Sequence, residues 1–343
     1  MRDMACNPRP AVEFHYQIAG RFLSVEFPDF TTVEPVDRYL SFLRATRVNR
    51  IGDTRASRLI LRNENTEPLS GLARCYVTEE AGTETSFYST PSLYAVRLGS
   101  STVRAGVDRT VFVSLADDLD RQSVLFERVL AHGLATALRR AGAFELHSAA
   151  VIDPETSTSA LIVGPSGSGK STLALQLAAS GWKFSSDDVV LLTASAEKID
   201  AFGLREHFAL TTETVIKSGV PGLAPGLLGK TVGLDHKLVL KPENVFPSQL
   251  LRNCIPEVLI FAHRAEAPQS RMEAITQADA MKRLLRITQA ASLDLPTAGG
   301  LLNILGRLAR QCRAFDLHSG TDLLGDRHYT ARFLGTIIER QAA

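Results

Sequence analysis

Apolar and polar positions alternate with a period of two through the first third of the chain. Val12–Ala19 and Arg21–Phe27 carry β-branched and aromatic residues on either side of a break at Gly20. Tyr94–Leu98, Thr102–Ala105 and Thr110–Leu115 are short and parted by glycine-containing turns, which predicts an antiparallel meander. Polar stretches at Glu64–Glu67 and Glu79–Glu84 read as loops. The period then lengthens. From Asp120, read as an N-cap, the residues Val124, Leu125, Val129, Leu130, Leu134, Ala135 and Leu138 recur at helical spacing. Arg139 and Arg140 in the last turn and Gly142 beyond it act as stop signals. This helix predicts a boundary between a β-rich N-terminal domain, 1–141, and a second domain, 142–343.

In the second part, Phe144–Asp153 and Ser159–Val163 are apolar strands around the turn-forming Pro154–Thr158, a hairpin pattern. A helix ending at Gly181, a strand at Val189–Thr193, and a glycine- and proline-rich loop over Ser218–Gly233 follow. Strand Val258–Ala262, helices Gln277–Ala290 and Ala298–Cys312, strand Ala314–Leu317 and a terminal helix over Thr330–Gln341 complete the pattern. Alternating strands and helices predict an α/β or α+β domain.

Composition narrows the class of protein. The 343 residues are 45% hydrophobic and 22% charged, an ordinary globular balance that excludes disorder, collagen and coiled coil as overall descriptions. Lys and Arg total 38 against 37 for Asp and Glu, a formal charge of +1, which argues against a dedicated nucleic-acid binder. Four cysteines, Cys6, Cys75, Cys254 and Cys312, form neither a CxxC motif nor a disulfide framework. With no signal-peptide core and no apolar run of spanning length, a soluble cytoplasmic protein without a membrane partner is expected.

The chemistry concentrates in one segment. Gly164-Pro165-Ser166-Gly167-Ser168-Gly169-Lys170-Ser171, followed by Thr172, fits G-x-x-x-x-G-K-[ST] between an apolar strand and an apolar helix. Such a loop turns successive backbone N–H groups onto phosphate oxygens and aims a helix start at them. Lys170 is placed for the β and γ phosphates of ATP, and Ser171 for Mg²⁺. The acid pair Asp187-Asp188 precedes the apolar run 189–192 instead of ending it. For that start to reach the loop, 189–192 is expected to run antiparallel to 160–163, in a mixed sheet. If Asp153 pairs with Ser159 across the hairpin, His147 lies opposite Pro165 at the mouth of the loop.

These pieces resemble the HPr kinase/phosphorylase family, whose fold is shared with phosphoenolpyruvate carboxykinase. The matching residues are L-H-S-A-A-V at 146–151, G-P-S-G-S-G-K-S-T at 164–172 and S-D-D-V-V at 186–190, with 17 residues from Lys170 to Asp187. The resemblance covers about 146–193 and continues more weakly to R-A-F-D-L at 313–317. It implies a mixed-sheet kinase core and ties it to the antiparallel orientation of 189–192. It further implies Asp187 as the catalytic base that deprotonates an acceptor serine, His147 as its support, and Asp188 with Ser171 as metal ligands. The Ile-Arg-Gly type of signature is absent; Phe202-Gly203-Leu204-Arg205-Glu206 stands there, with Arg205 as a candidate counterpart. Lys230, Lys237 and Lys241 fall where the family has a basic loop. The expectation is an ATP- and Mg²⁺-dependent kinase of a serine on a protein or on a ribosomally made precursor peptide. The β-rich N-terminal domain is a candidate for acceptor recognition, and family members are often homo-oligomers. A kinase of a small-molecule hydroxyl and a non-catalytic ATP-binding sensor are the alternatives.

Overall fold

The computed structural model describes residues 12–49, 56–63, 69–204, 207–218, 220, 223, 228, 237–242, 245–323 and 326–340. The chain divides into two compact units. One holds the described residues up to Ala141 together with Leu293–Thr297, and the other holds Gly142–Ser292 and the residues from Ala298 onward.

The first unit comprises β1 (Val12–Ile18), β2 (Arg21–Phe27), α1 (Val33–Phe42), β3 (Thr46–Val48), β4 (Ser57–Arg62), β5 (Arg74–Glu80), β6 (Thr83–Thr90), β7 (Leu93–Leu98), β8 (Ser101–Ala105), β9 (Thr110–Ser114) and α2 (Val124–Arg140). Its strands form a nine-stranded sheet in the order β3-β1-β2-β4-β9-β8-β7-β6-β5. The expected antiparallel meander is present from β5 to β9, but β4 pairs in parallel with both β2 and β9, so the sheet is mixed. Glu79–Glu84 is not a loop. Ala81 and Gly82, both at positive φ, make a two-residue turn that joins β5 to β6. Most of β5 is exposed at the sheet edge, so it carries no apolar alternation to read. The Glu64–Glu67 stretch lies outside the described residues. The cap of helix α2 lies three residues after the expected one: Ser123 accepts from the N–H of Phe126, while Asp120 spends its side chain on Gln122. Arg139 and Arg140 at its end are buried, and both bind Asp294, which is fully buried. That contact seats Leu293–Thr297 in this unit.

The second unit comprises β10 (Ala143–Ile152), β11 (Ser159–Val163), α3 (Lys170–Ala179), β12 (Lys183–Ser186), β13 (Val189–Ala194), β14 (Ile199–Gly203), β15 (Phe208–Thr211), α4 (Thr212–Lys217), β16 (Lys237–Leu240), β17 (Asn253–Cys254), β18 (Val258–Arg264), β19 (Arg271–Ile275), α5 (Gln277–Ile287), α6 (Gln289–Ser292), α7 (Ala298–Gln311), β20 (Arg313–Ser319) and α8 (Arg327–Arg340). The fold is the expected mixed α/β. A nine-stranded sheet, ordered β17-β14-β13-β10-β11-β18-β20-β19 with β12 also on β10, separates two apolar layers. One layer packs Ala149, Val151 and Ile162 against Leu173, Leu177 and Leu334 of α3 and α8. The other packs Leu146, Leu161 and Val163 against Leu284, Leu301 and Leu305 of α5 and α7. Fully burying each leucine contributes roughly 1.5–3 kcal/mol. The helix expected over 277–290 is interrupted at Thr288, which separates α5 from α6.

Two expectations about this sheet are corrected. The hairpin register is Ile152 opposite Ser159 and Ser148 opposite Val163, which, continued, sets His147 beside Gly164 instead of Pro165. Asp153 and Thr158 belong to the ladder end, since the Asp153 N–H donates to the Thr158 carbonyl, so the loop is one residue shorter than assumed. The orientation of 189–192 is also reversed. β11 and β13 lie on opposite edges of β10, each antiparallel to it, and therefore run in the same sense. The tie between an HPr kinase-type core and an antiparallel 189–192 therefore fails, while the mixed α/β class stands; loop and acids still meet because β10 is ten residues long and its partners are staggered. β11 takes Ser148–Ile152 and β13 takes Ala143–His147, so the end of one strand meets the start of the other across β10.

Candidate active site

β12 and β13 lie along the same edge of β10; the register shifts by one residue between Val151 and Ala150, and from Ala150 opposite Ser186 it runs on to His147 opposite Val189. Asp187 and Asp188 fill the gap between them. They lie across β10 from the end of β11. The glycine-rich loop leaves that end, so sheet geometry alone brings loop and acids together. Ser171 confirms the approach, its hydroxyl lying 3.3 Å from the Asp187 carbonyl.

The loop is tightly drawn. A Cβ on Gly164 would stand 2.5 Å from Ser168 Oγ and 2.8 Å from the Ala262 carbonyl oxygen, so only glycine fits. Gly169, at φ +95°, caps α3 without a side-chain bond to its first turn. Those N–H groups are the donors that an anion at a helix start accepts from. Ser168 is buried, and its hydroxyl has no hydrogen-bond partner among the described residues. A buried polar atom without a partner costs about 1–3 kcal/mol, which a ligand oxygen would recover. Lys170 is buried and donates to the carbonyls of Gly164 at 2.8 Å and Pro165 at 2.9 Å. Gly164, Pro165, Ser166, Gly167, Ser168 and Gly169 form the turn between β11 and α3, and Lys170, Ser171 and Thr172 open the helix.

The acids differ in setting. Asp187 is 2% exposed, and its Oδ2 accepts from the Ala209 N–H of β15 at 3.0 Å. Asp188 has a 17% exposed side chain and lies 3.4 Å from Nδ1 of His147, whose side chain is 60% exposed. His147 therefore reaches Asp188, whereas the expectation had it supporting Asp187. Ser171 and Asp188 offer hard oxygen ligands of the kind Mg²⁺ shares with phosphates. Among the described residues no three His, Cys, Asp or Glu side chains gather as a metal cage, and a phosphate-bridging Mg²⁺ requires none.

Sequence reasoning missed several supporting residues. Gly203 packs on the Ser185 carbonyl so closely that a Cβ would overlap it, and its N–H donates to Ser185 Oγ. Ala209 holds Asp187 through its main chain, which no side-chain pattern announces. Lys237 lies at the start of β16 and Lys241 just past its end, while Arg205 and Lys230 lie outside the described residues.

No helix among the described residues is long and apolar enough to cross a membrane. No protein-family model matches the chain, and no curated protein matches it. Among solved structures the chain is similar to the Hpr(Ser) kinase/phosphatase from Coxiella burnetii, with 15% sequence identity and a TM-score of 0.25 over 38% of this chain and 72% of that one.

Proposed function

We propose that the second unit is an ATP- and Mg²⁺-dependent phosphotransferase that phosphorylates a serine hydroxyl of a protein or precursor peptide. The observation that carries this reading is the convergence of the phosphate-type loop and the Asp187-Asp188 pair on either side of β10. Binding alone needs the loop; a pair of carboxylates beside it, one buried and oriented by a main-chain N–H, suits chemistry. The N-terminal unit is proposed to help select the acceptor.

In this scheme the loop N–H groups, Ser168 and Lys170 hold the phosphates. Ser171 and Asp188 would hold Mg²⁺, which would supply neutralisation of charge on the phosphate oxygens. Asp187 takes the proton of the serine hydroxyl as its oxygen attacks the γ-phosphorus in line. The bond from that phosphorus to the β–γ bridging oxygen breaks, leaving ADP and phosphoserine. Ala209 holds the Asp187 carboxylate in place for this step, and His147 positions Asp188.

The contact between His147 and Asp188 favours a second assignment, with Asp188 as base and Asp187 on the metal side. Labelled ATP and Mg²⁺ with candidate serine peptides tests both. Substitution of the base, Asp187→Asn, is expected to cut turnover about 10²–10⁴-fold with nucleotide affinity retained. Asp188→Asn should raise the Mg²⁺ requirement. The reverse pattern assigns the roles the other way, and unchanged turnover in both variants sinks the catalytic reading.

A further inference from the structure

On the α5 face of the sheet, at the loop-side ends of its parallel strands, four side chains from three elements meet. His263 lies on β18, Asp316 and His318 on β20, and Arg283 on α5. Asp316 accepts from His263 Nε2 at 2.9 Å and pairs through its other oxygen with Arg283. The His318 ring stacks on that of His263, with centroids 5.4 Å apart and planes 28° from parallel. Arg283 Nη1 lies 3.2 Å from the same Nε2. One imidazole nitrogen cannot donate to Asp316 and accept from Arg283 at once. The carboxylate only accepts, so Nε2 carries the hydrogen, and Nη1 finds no acceptor in it. Burial is graded: Asp316 is 13% exposed, Arg283 30% and His263 40%, so the carboxylate lies beneath and the donors form the rim.

The charges around the cluster are mostly paired, with Glu273 opposite Asp316 on β19, and one positive charge is left over. Arg271 pairs with Glu273 and Lys282 with Asp279, and Arg286 adds a further positive charge on α5. The Arg283 guanidinium at the rim disfavours a cation there. The place is also informative. Val163 pairs with Phe261, so continuing the register sets His263 beside Pro165, whose carbonyl accepts from Lys170. Gly164 packs against the Ala262 carbonyl, one residue before His263, so the cluster lies at the same end of β18 as the phosphate loop.

We propose that His318 and Arg283, ordered by His263 and Asp316, form an oxyanion site for a phosphate or carboxylate group of the acceptor. The link to the acceptor rests on the phosphotransfer reading; the site itself rests on the cluster. The test is imidazole ¹⁵N NMR of the full chain titrated in turn with inorganic phosphate, O-phosphoserine and N-acetylglutamate. Saturable shifts at His263 and His318 are expected with at least one of them, a phosphate-only response indicating a phosphorylated acceptor and a carboxylate response an acidic one. Arg283→Gln should weaken that binding roughly tenfold or more. Because that variant uncovers Asp316, His318→Gln, which keeps the ion pair, serves as the second reading and should also weaken it. Lys170→Ala, which disables the loop, should leave the response intact. No saturable shift, shifts unaffected by both cluster variants, or shifts abolished by Lys170→Ala would each overturn the site. Absence of phosphotransfer with these shifts preserved would remove the kinase reading and leave the site standing.

Discussion

Single residues in the loop act through space as much as through chemistry. Gly164 is the clearest case, since its missing side chain lets Ser168 Oγ and the Ala262 carbonyl close on the main chain. Gly164→Ala is expected to cost about 1–3 kcal/mol through overpacking and, under the proposed function, to weaken ATP binding because the loop must shift; thermal melting and nucleotide titration measure the two. Cysteine behaviour is equally local. Burial pushes the Cys254 thiol up to about 12, and burial also raises Cys312, whereas Cys75 is exposed. Alkylation at pH 8 followed by peptide mass spectrometry should label Cys75 in the native protein. Cys254 and Cys312 should react only after unfolding; labelling of either in the native state would contradict their burial.

Among the elements, helix ends separate what patterns suggest from what hydrogen bonds do. Ser123→Ala should destabilise the first unit by about 1 kcal/mol, as loss of an N-cap does. Asp120→Ala should cost less, because Asp120 bonds only within the preceding turn. Comparing chemical denaturation midpoints decides between these caps. Glycine after the last turn is legible for α3, where Gly181 takes φ +100° and Trp182 donates back to the Leu177 carbonyl. By contrast β12 has one apolar residue, Phe184, and β5 sits at an exposed edge, so neither shows a period of two. Their ladders rest on main-chain bonds, to which side-chain patterns are blind.

At the scale of the whole molecule, contacts distant in sequence decide the organisation. Arg139 and Arg140 look like solvent-facing charges complementing a helix dipole, yet Asp294 takes both of them in the interior, 154 residues beyond Arg140. Asp294→Ala would leave two buried guanidinium groups without their carboxylate. It should cost about 3–5 kcal/mol, read as early unfolding of the first unit in a denaturant series. An effect below 1 kcal/mol would mean that the cluster is solvated.

The chain's own pattern determined the strands and helices with strong periodicity, the loop from Gly164 to Ser171 and the acid pair, because these depend on neighbours in sequence. Phosphate cradles need glycine, lysine and serine at fixed spacing, and that spacing is written in the chain. Tertiary structure alone decided how they meet. The orientation of β13, the one-residue shift of His147, its contact with Asp188 in place of Asp187, and the grasp of Ala209 on Asp187 all depend on strand pairing. Pairing is set by packing on both faces of the sheet and by loop length, and a single residue of loop is enough to move it.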